Sequence, residues 1–148
     1  MAVPLMKVQP ADYIFLNKPS PTLLRQVIAI YKAEGWFEKG DTPARYRRII
    51  SGSYCFAVAL LDGKAVGMAR AISDGASDAY IQDVAVLRAF RRRGIALGLI
   101  RFITGKLSKD GLGWIGLIAS DGADPLYVKC GFRPMPASVP MKFRGHRR

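Results

Sequence analysis

The 148-residue chain predicts a mixed α/β (α+β) fold, with a central mixed sheet of six or seven strands flanked by about four helices. Three observations predict it. Two apolar runs, Tyr54–Leu61 and Lys64–Ile72, flank Asp62-Gly63, a dipeptide suited to the left-handed conformations of a two-residue hairpin turn. A third run, Ala79–Val86, leads into an amphipathic stretch from Gly94 to about Ser108 and then into the apolar Leu112–Ala119. That strand–helix–strand order makes the two strands parallel, with ligand expected beyond their C-terminal ends. Finally, half of the residues are apolar and no repeat or composition break divides them. Residues 1–148 therefore read as one domain with a sizeable core and a basic tail from about residue 144.

Taken in order, residues 1–12 read as irregular, punctuated by Pro4 and Pro10, and Tyr13–Leu16 as a first, edge strand. Ser20 suits the N-cap of a helix in which Leu23, Leu24, Val27, Ile28 and Tyr31 share a face, and Gly35 ends it. Asp41-Thr42-Pro43 opens a second short helix, a capping side chain followed by a proline in the first turn. The hairpin comes next, then a turn at Ser73–Ser77 and the third run. In the helix from Gly94, residues Ile95, Leu99, Phe102, Ile103 and Leu107 line one apolar face, and Asp110-Gly111 ends it. A short helix from about Ala123 to Lys129 and a final strand pair near Gly131 to Phe143 complete the expected order. Tyr31, Trp36, Phe37 and Tyr46 offer walls for a pocket, although aromatics at helical spacing more often belong to a core.

Composition narrows the function classes. No apolar run approaches a membrane span, and the N-terminus lacks the charged start and apolar stretch of a secretory signal. Cys55 and Cys130 stand far apart without metal-type spacing. They read as reduced, mostly buried thiols of a cytoplasmic protein, with a reactive Cys130 as the alternative. No carboxylate–histidine cluster suggests a metal, and the lone His146 lies in the basic tail. No Gly-x-x-x-x-Gly-Lys-Ser/Thr loop suggests nucleoside triphosphate chemistry. The net charge of +12 is patchy. Arg45–Arg48, Arg88–Arg93 and Lys142–Arg148 hold three, four and four of the 23 basic residues, which leaves twelve against eleven acidic ones elsewhere. A nearly neutral body argues against general nucleic-acid binding.

The middle patch is the most informative. Asp83-Val-Ala-Val-Leu-Arg-Ala-Phe-Arg-Arg-Arg-Gly-Ile-Ala96 reads as a strand, an arginine-packed turn and a glycine opening a helix. Three consecutive arginines at a helix N-terminus oppose the partial positive charge of its unpaired N–H groups. The conflict disappears when a polyanion accepts hydrogen bonds from both backbone and arginines. Arg91-x-x-Gly94-x-Ala96 after Val84-Ala85-Val86 resembles the acyl-CoA signature of the GCN5-related N-acetyltransferase (GNAT) superfamily. Phe90 before the arginines, the apolar helix, the strand-like Trp114–Ala119, and Tyr127 ahead of Gly131-Phe132 fall in the family's order. The match covers about residues 50 to 143.

The resemblance implies acetyl-CoA as cosubstrate and no metal. It implies coenzyme contacts from Val84, Ala85, Val86, Arg91, Arg92, Arg93, Gly94, Ile95 and Ala96, with Ser120 or Asp121 in the region where many relatives have an asparagine contacting pantetheine and Ser120 as the candidate contact. A backbone N–H of the Val84–Val86 strand would face the thioester oxygen, and Tyr127 would be the general acid for the departing thiolate. Asp83 and Glu34 are the candidate bases. Ile115 stands roughly where some relatives carry a glutamate, which counts against a protein N-terminus-modifying mechanism. The function so implied is acetyl transfer to a primary amine of a small molecule or peptide, by direct attack in a ternary complex, with a homodimer as a common assembly. The alternatives are a non-catalytic acyl-CoA-binding sensor and, behind it, a basic nucleic-acid-associated protein.

Overall fold

The structure, a computed structural model, describes residues 10–145. One sheet orders β1 (Asp12–Leu16), β2 (Cys55–Leu61), β3 (Lys64–Ser73), β4 (Asp78–Val86) and β5 (Trp114–Leu117) as β1-β2-β3-β4-β5. Its pairs are antiparallel except β4–β5. Asp62 and Gly63 take φ of 49° and 74°, the left-handed pair that matches the twist of the strands they join. Between β3 and β4, Asp74 Oδ1 accepts hydrogen bonds from the Ala76 and Ser77 N–H groups at 2.8 and 2.9 Å. These backbone donors hold its carboxyl below the usual range.

Helices α1 (Pro21–Ala33) and α2 (Pro43–Gly52) begin as the sequence expects. The Ser20 hydroxyl accepts from Leu23 N–H at 3.2 Å and the Thr42 hydroxyl from Arg45 N–H at 3.4 Å. They cover one face of the sheet, where Val27, Ile30, Tyr31, Tyr46 and Ile50 meet Phe56, Val58 and Met68. Tyr31 and Tyr46 are thus core, whereas Trp36 stays exposed. Helix α3 (Ile95–Lys109) covers the other face. There Ala57, Ala59, Ala69, Ala71 and Ala79 pave the sheet, so Leu99, Ile103 and Leu107 approach closely and fill the space the small side chains leave. Phe102 sits at the rim, stacked on Phe15 with ring centroids 4.2 Å apart.

Among the described residues the sheet has five strands, not six or seven. After the short α4 (Asp124–Lys129) the expected strand pair between Gly131 and Phe143 does not form. Pro134, Pro136 and Pro140 interrupt that segment, each removing a ladder donor. Among the described residues four α-helices accompany the sheet, and none of them is long and apolar enough to cross a membrane. His146 lies outside the described residues.

Candidate active site

A single 3-10 turn, Arg88–Phe90, carries the chain out of β4 and into the arginine turn. Arg92 at φ 61° and Gly94 at φ 77° are both left-handed, and α3 starts at the next residue. Among the described residues the backbone N–H groups of Arg92 through Leu97, six in a row, find no acceptor, and the first to do so is Gly98, which donates to Gly94 O at 3.0 Å. Consecutive free N–H groups on left-handed turns at a helix N-terminus form a concave anion site. A Cβ on Gly94 would meet nothing within 4 Å, so the approach to this backbone is open. Arg91 points elsewhere: its Nε donates to Val86 O at 2.9 Å and its Nη2 pairs with Glu34 Oε1 at 2.7 Å. Glu34 caps the C-terminus of α1. Arg93 lies over the Phe90 ring.

Strands β4 and β5 pair from Asp78–Trp114 to Ile81–Leu117 and then part. Beyond Ile81, β4 keeps β3 on one side and, among the described residues, has no strand on the other. The open edge spans Gln82 to Val86 and so includes Val84, Ala85 and Val86. Within it the register against β3 slips: Arg70 faces Gln82 while Met68 faces Ala85, one residue on β3 (Ala69) against two on β4 (Asp83 and Val84). Asp83, at φ 53°, sits in this bulge. Ala79 and Ile81 face α3, and beyond the bulge Val84 and Val86 do so. Asp83 therefore turns to the face that α1 covers. Its Oδ2 accepts from Tyr31 Oη at 2.8 Å and pairs with Arg70 Nε at 2.6 Å, while Oδ1 has no partner among the described residues. Arg70 Nη2 also reaches Gln82 Oε1 at 3.2 Å. Burial, followed by the Asp83 charge, pushes the Tyr31 hydroxyl well above its ordinary range, so it stays a donor.

Tyr127 on α4 is half-buried, edge-on to Phe132 with centroids 6.0 Å apart, and its hydroxyl has no protein partner among the described residues. Burial, then the neighbouring Cys130, pushes its pKa up. A cavity of about 620 Å³ lies along the outer edge of β5, and Tyr127 and Cys130 line it with Ile115 and Leu117. Ser120 is exposed in the β5–α4 loop, its carbonyl accepting from Ala123 N–H at 2.9 Å. Both cysteines are free thiols; burial pushes Cys55 up to about 11 and raises Cys130. No group of three or more His, Cys, Asp or Glu among the described residues is placed to hold a metal. The structure thus joins Asp83 to Arg70 and Tyr31, and Glu34 to Arg91, without bringing Tyr127 into hydrogen-bonding contact with either carboxylate. Sequence reading missed Arg70. Its position opposite Gln82 follows from counting back from the Ser73–Ser77 turn, but the bulge that swings Asp83 onto it leaves no mark in the residue pattern.

No curated protein sequence matches the chain. Among solved structures, a GNAT-family acetyltransferase of Streptococcus pneumoniae superposes with a TM-score of 0.75 at 22% identity, covering 93% of this chain and 99% of that one. A GNAT-family protein of Xanthomonas campestris gives 0.67 at 29% identity, covering 89% and 93%. An aminoglycoside acetyltransferase from an uncultured soil metagenomic sample gives 0.70 at 26% identity, covering 91% and 99%. The family model described as the acetyltransferase (GNAT) family matches residues 22–132, the span that contains both core faces, the bulged strand, the arginine turn and Tyr127. The chain belongs to the GNAT family of acetyltransferases.

Proposed function

We infer that the chain moves an acetyl group from acetyl-CoA to a primary amine by direct attack in a ternary complex. The observation that carries this reading is the run of six free N–H groups on the arginine turn, beside a β4 edge that has no strand partner. The turn suits a pyrophosphate, with Arg92 and Arg93 outside it. The open Val84–Val86 edge suits the amide-bearing pantetheine arm, which can hydrogen-bond to it as a strand would. One of its N–H groups then polarises the thioester carbonyl. The amine nitrogen attacks that carbon, the C–N bond forms and the C–S bond breaks. Asp83 Oδ1 takes the amine proton directly or through water, and the Tyr127 phenol protonates the leaving thiolate. Burial favours this last role because it keeps the hydroxyl protonated.

Asp83 suits the base better than Glu34, whose carboxylate is tied to the arginine turn itself. The acceptor is an amine on a small molecule or peptide. The aminoglycoside activity named for the soil-metagenome relative does not transfer readily, because Arg70 beside Asp83 would repel a polycation. One observation favours a second reading, an acyl-CoA-binding module without turnover: both candidate bases are engaged in ion pairs.

Titration calorimetry with acetyl-CoA and desulfo-CoA at two salt concentrations tests the coenzyme assignment. Binding that weakens with salt and in Arg92→Ala/Arg93→Ala supports it, and no binding of either ligand overturns it. An amine screen with Tyr127→Phe as control then separates the two readings. Turnover lost in the variant with coenzyme binding retained marks the enzyme, and binding without turnover for any amine marks the sensor.

A further inference from the structure

On the face that α1 and α2 cover, the sheet is only half protected. Helix α1 lies over β3 and α2 over β2, where Phe56, Val58 and Met68 are fully buried. Further along the same face, apolar side chains meet solvent. Arg70 faces Gln82, the next pair on this face is Ile72 with Tyr80, and Gly116 of β5 lies beside Tyr80. Ile72, Tyr80 and Trp114 are 43%, 49% and 37% exposed. The Trp114 ring folds back across Gly116, where a Cβ would collide with it. It meets the Tyr80 ring with centroids 5.0 Å apart. Glycine at 116 thus lets two aromatic rings form an open floor on the sheet. A contiguous exposed apolar surface of this kind marks a binding place.

Polar groups stand at the head of this floor. The bulge turns the successive residues Gln82 and Asp83 to one face, and both meet Arg70. The guanidinium has five N–H donors. Asp83 Oδ2 takes the one on Nε, and Gln82 Oε1 takes one on Nη2. The other three, the Gln82 amide donors and Asp83 Oδ1 have no partner among the described residues. Both charged side chains are largely withdrawn from water, where charge-assisted hydrogen bonds gain strength.

A ligand that satisfies both must bring a positive group to Asp83 Oδ1 and a negative group to Arg70 within a short span. Nε and Oδ2 are 2.6 Å apart, and the free atoms belong to the same two groups. An α-amino carboxylate, whose charged groups are joined through one carbon, has that arrangement. Tyr80 lies two strand positions before Gln82, about 7 Å along β4, a step that a methylene and an aromatic ring bridge.

We propose that the acceptor is an amino acid with an aromatic side chain. Its amine meets Asp83, its carboxylate meets Arg70 and Gln82, and its ring rests on Tyr80 and Trp114. This inference rests on the acetyl-transfer reading and names its substrate. The ammonium loses two protons through Asp83 as the C–N bond forms and the C–S bond breaks. One proton passes to water, and the other restores the Tyr127 phenol after it has protonated the thiolate.

Turnover with acetyl-CoA, followed by thiol release, tests this on L-phenylalanine, L-tyrosine and L-tryptophan. Their decarboxylated amines and L-alanine are the comparisons. At least one aromatic amino acid should exceed both its decarboxylated amine and L-alanine in kcat/KM by about tenfold or more, the effect of one charge-assisted hydrogen bond. In Arg70→Met the preference over the decarboxylated amine should shrink to within about threefold, and in Trp114→Ala so should the preference over L-alanine. Ratios within one preparation cancel any unfolded fraction, so a destabilised variant still reports. Decarboxylated amines used as well as the amino acids, or preferences that survive both variants, overturn the proposal and leave acetyl transfer standing. Acetylation of spermidine but of no aromatic amino acid does the same. Acetyl-CoA binding without acetylation of any amine overturns both readings. A Trp114→Ala variant that changes sedimentation and not the ratio assigns the aromatic floor to a second copy and refutes the proposal.

Discussion

Replacing Gly94 with alanine and with glutamate separates the stability of the arginine turn from its affinity for anions. Gly94 lies at φ 77°, ψ 9°, where an L side chain costs about 1–2 kcal/mol. Restricting the unfolded chain returns about 0.4–1 kcal/mol. Steric clash adds nothing, since a Cβ there has no heavy atom within 4 Å. The net cost is about 1 kcal/mol for either variant, a drop of about 2–4 °C in Tm for a chain of this size. Binding should respond very differently. The glutamate carboxylate stands where a phosphate would accept N–H bonds, each charge-assisted bond worth about 1.5–3 kcal/mol. Loss of one bond weakens acetyl-CoA binding at least about tenfold. Thermal melts and titration calorimetry on the same preparations measure both quantities. The reasoning fails if Gly94→Glu melts cooperatively yet binds acetyl-CoA within about threefold of the wild-type chain.

Tyr127→Phe keeps the ring against Phe132 and removes only the hydroxyl; kcat should fall by about 10²–10⁴ with the acetyl-CoA Kd unchanged, and an unchanged kcat would remove Tyr127 as the acid. Asp83→Asn fits the left-handed bulge, because asparagine tolerates that conformation, but it leaves the Arg70 guanidinium without its carboxylate. Their side chains are 17% and 25% exposed, so chemical denaturation should show a loss of about 1–3 kcal/mol, and an unshifted midpoint would mean that the pair contributes nothing. Burial and the hydrogen bond to Asp41 push Tyr46 up to about 12, and Tyr31 is raised further. Because both folded values lie above the unfolded one, the stability they contribute is complete below about pH 10 and is lost as pH rises through the folded values. Phenolate absorbance should show Tyr31 and Tyr46 ionising last of the six tyrosines, and early ionisation of all six in a folded chain would contradict this.

The fold was legible where local chemistry and the apolar period agree. Ser20 and Thr42 cap the helices they precede, and Asp62-Gly63 turns the hairpin. The arginine turn was legible for a related reason: its conflict with the helix dipole is a local property of consecutive residues. Long-range pairings were not. Glu34 and Arg91 lie 57 residues apart, and Tyr31 and Asp83 lie 52 apart, so their contacts depend on how α1 lies across the sheet. The bulge at Asp83 was hidden too, because an extra residue in one strand appears only against its partner's register. The C-terminal strands failed for the opposite reason. The alternation in 139–143 is a real strand pattern, but a pattern without a neighbouring strand forms no ladder, and Pro140 withholds the nearest one.

The charge of the arginine turn ties these observations to function. Arg88, Arg91, Arg92 and Arg93 supply four positive charges, and among the described residues Glu34 alone forms an ion pair with any of them. The turn therefore keeps three uncompensated charges in front of helix α3, whose free N–H groups add further positive potential. Like charges so placed destabilise the folded chain, and backbone N–H groups left without partners add to that cost. A phosphomonoester of charge about −1.5 to −2, joined to a pyrophosphate as in coenzyme A, offsets both at once. Two left-handed residues hold the cradle in shape before any ligand arrives, so little ordering remains for binding to accomplish. Arg91 stands apart from the other arginines in this division of labour. Its bonds to Val86 O and Glu34 fix the turn to the end of β4 and to the helix that carries Tyr31. Arg91→Ala should therefore loosen the turn and lower stability as well as affinity, whereas Arg92→Ala and Arg93→Ala should lower affinity alone. Melts of the three single variants beside their calorimetric titrations would expose an error in that division, because equal stability losses in all three would make Arg91 one more phosphate ligand.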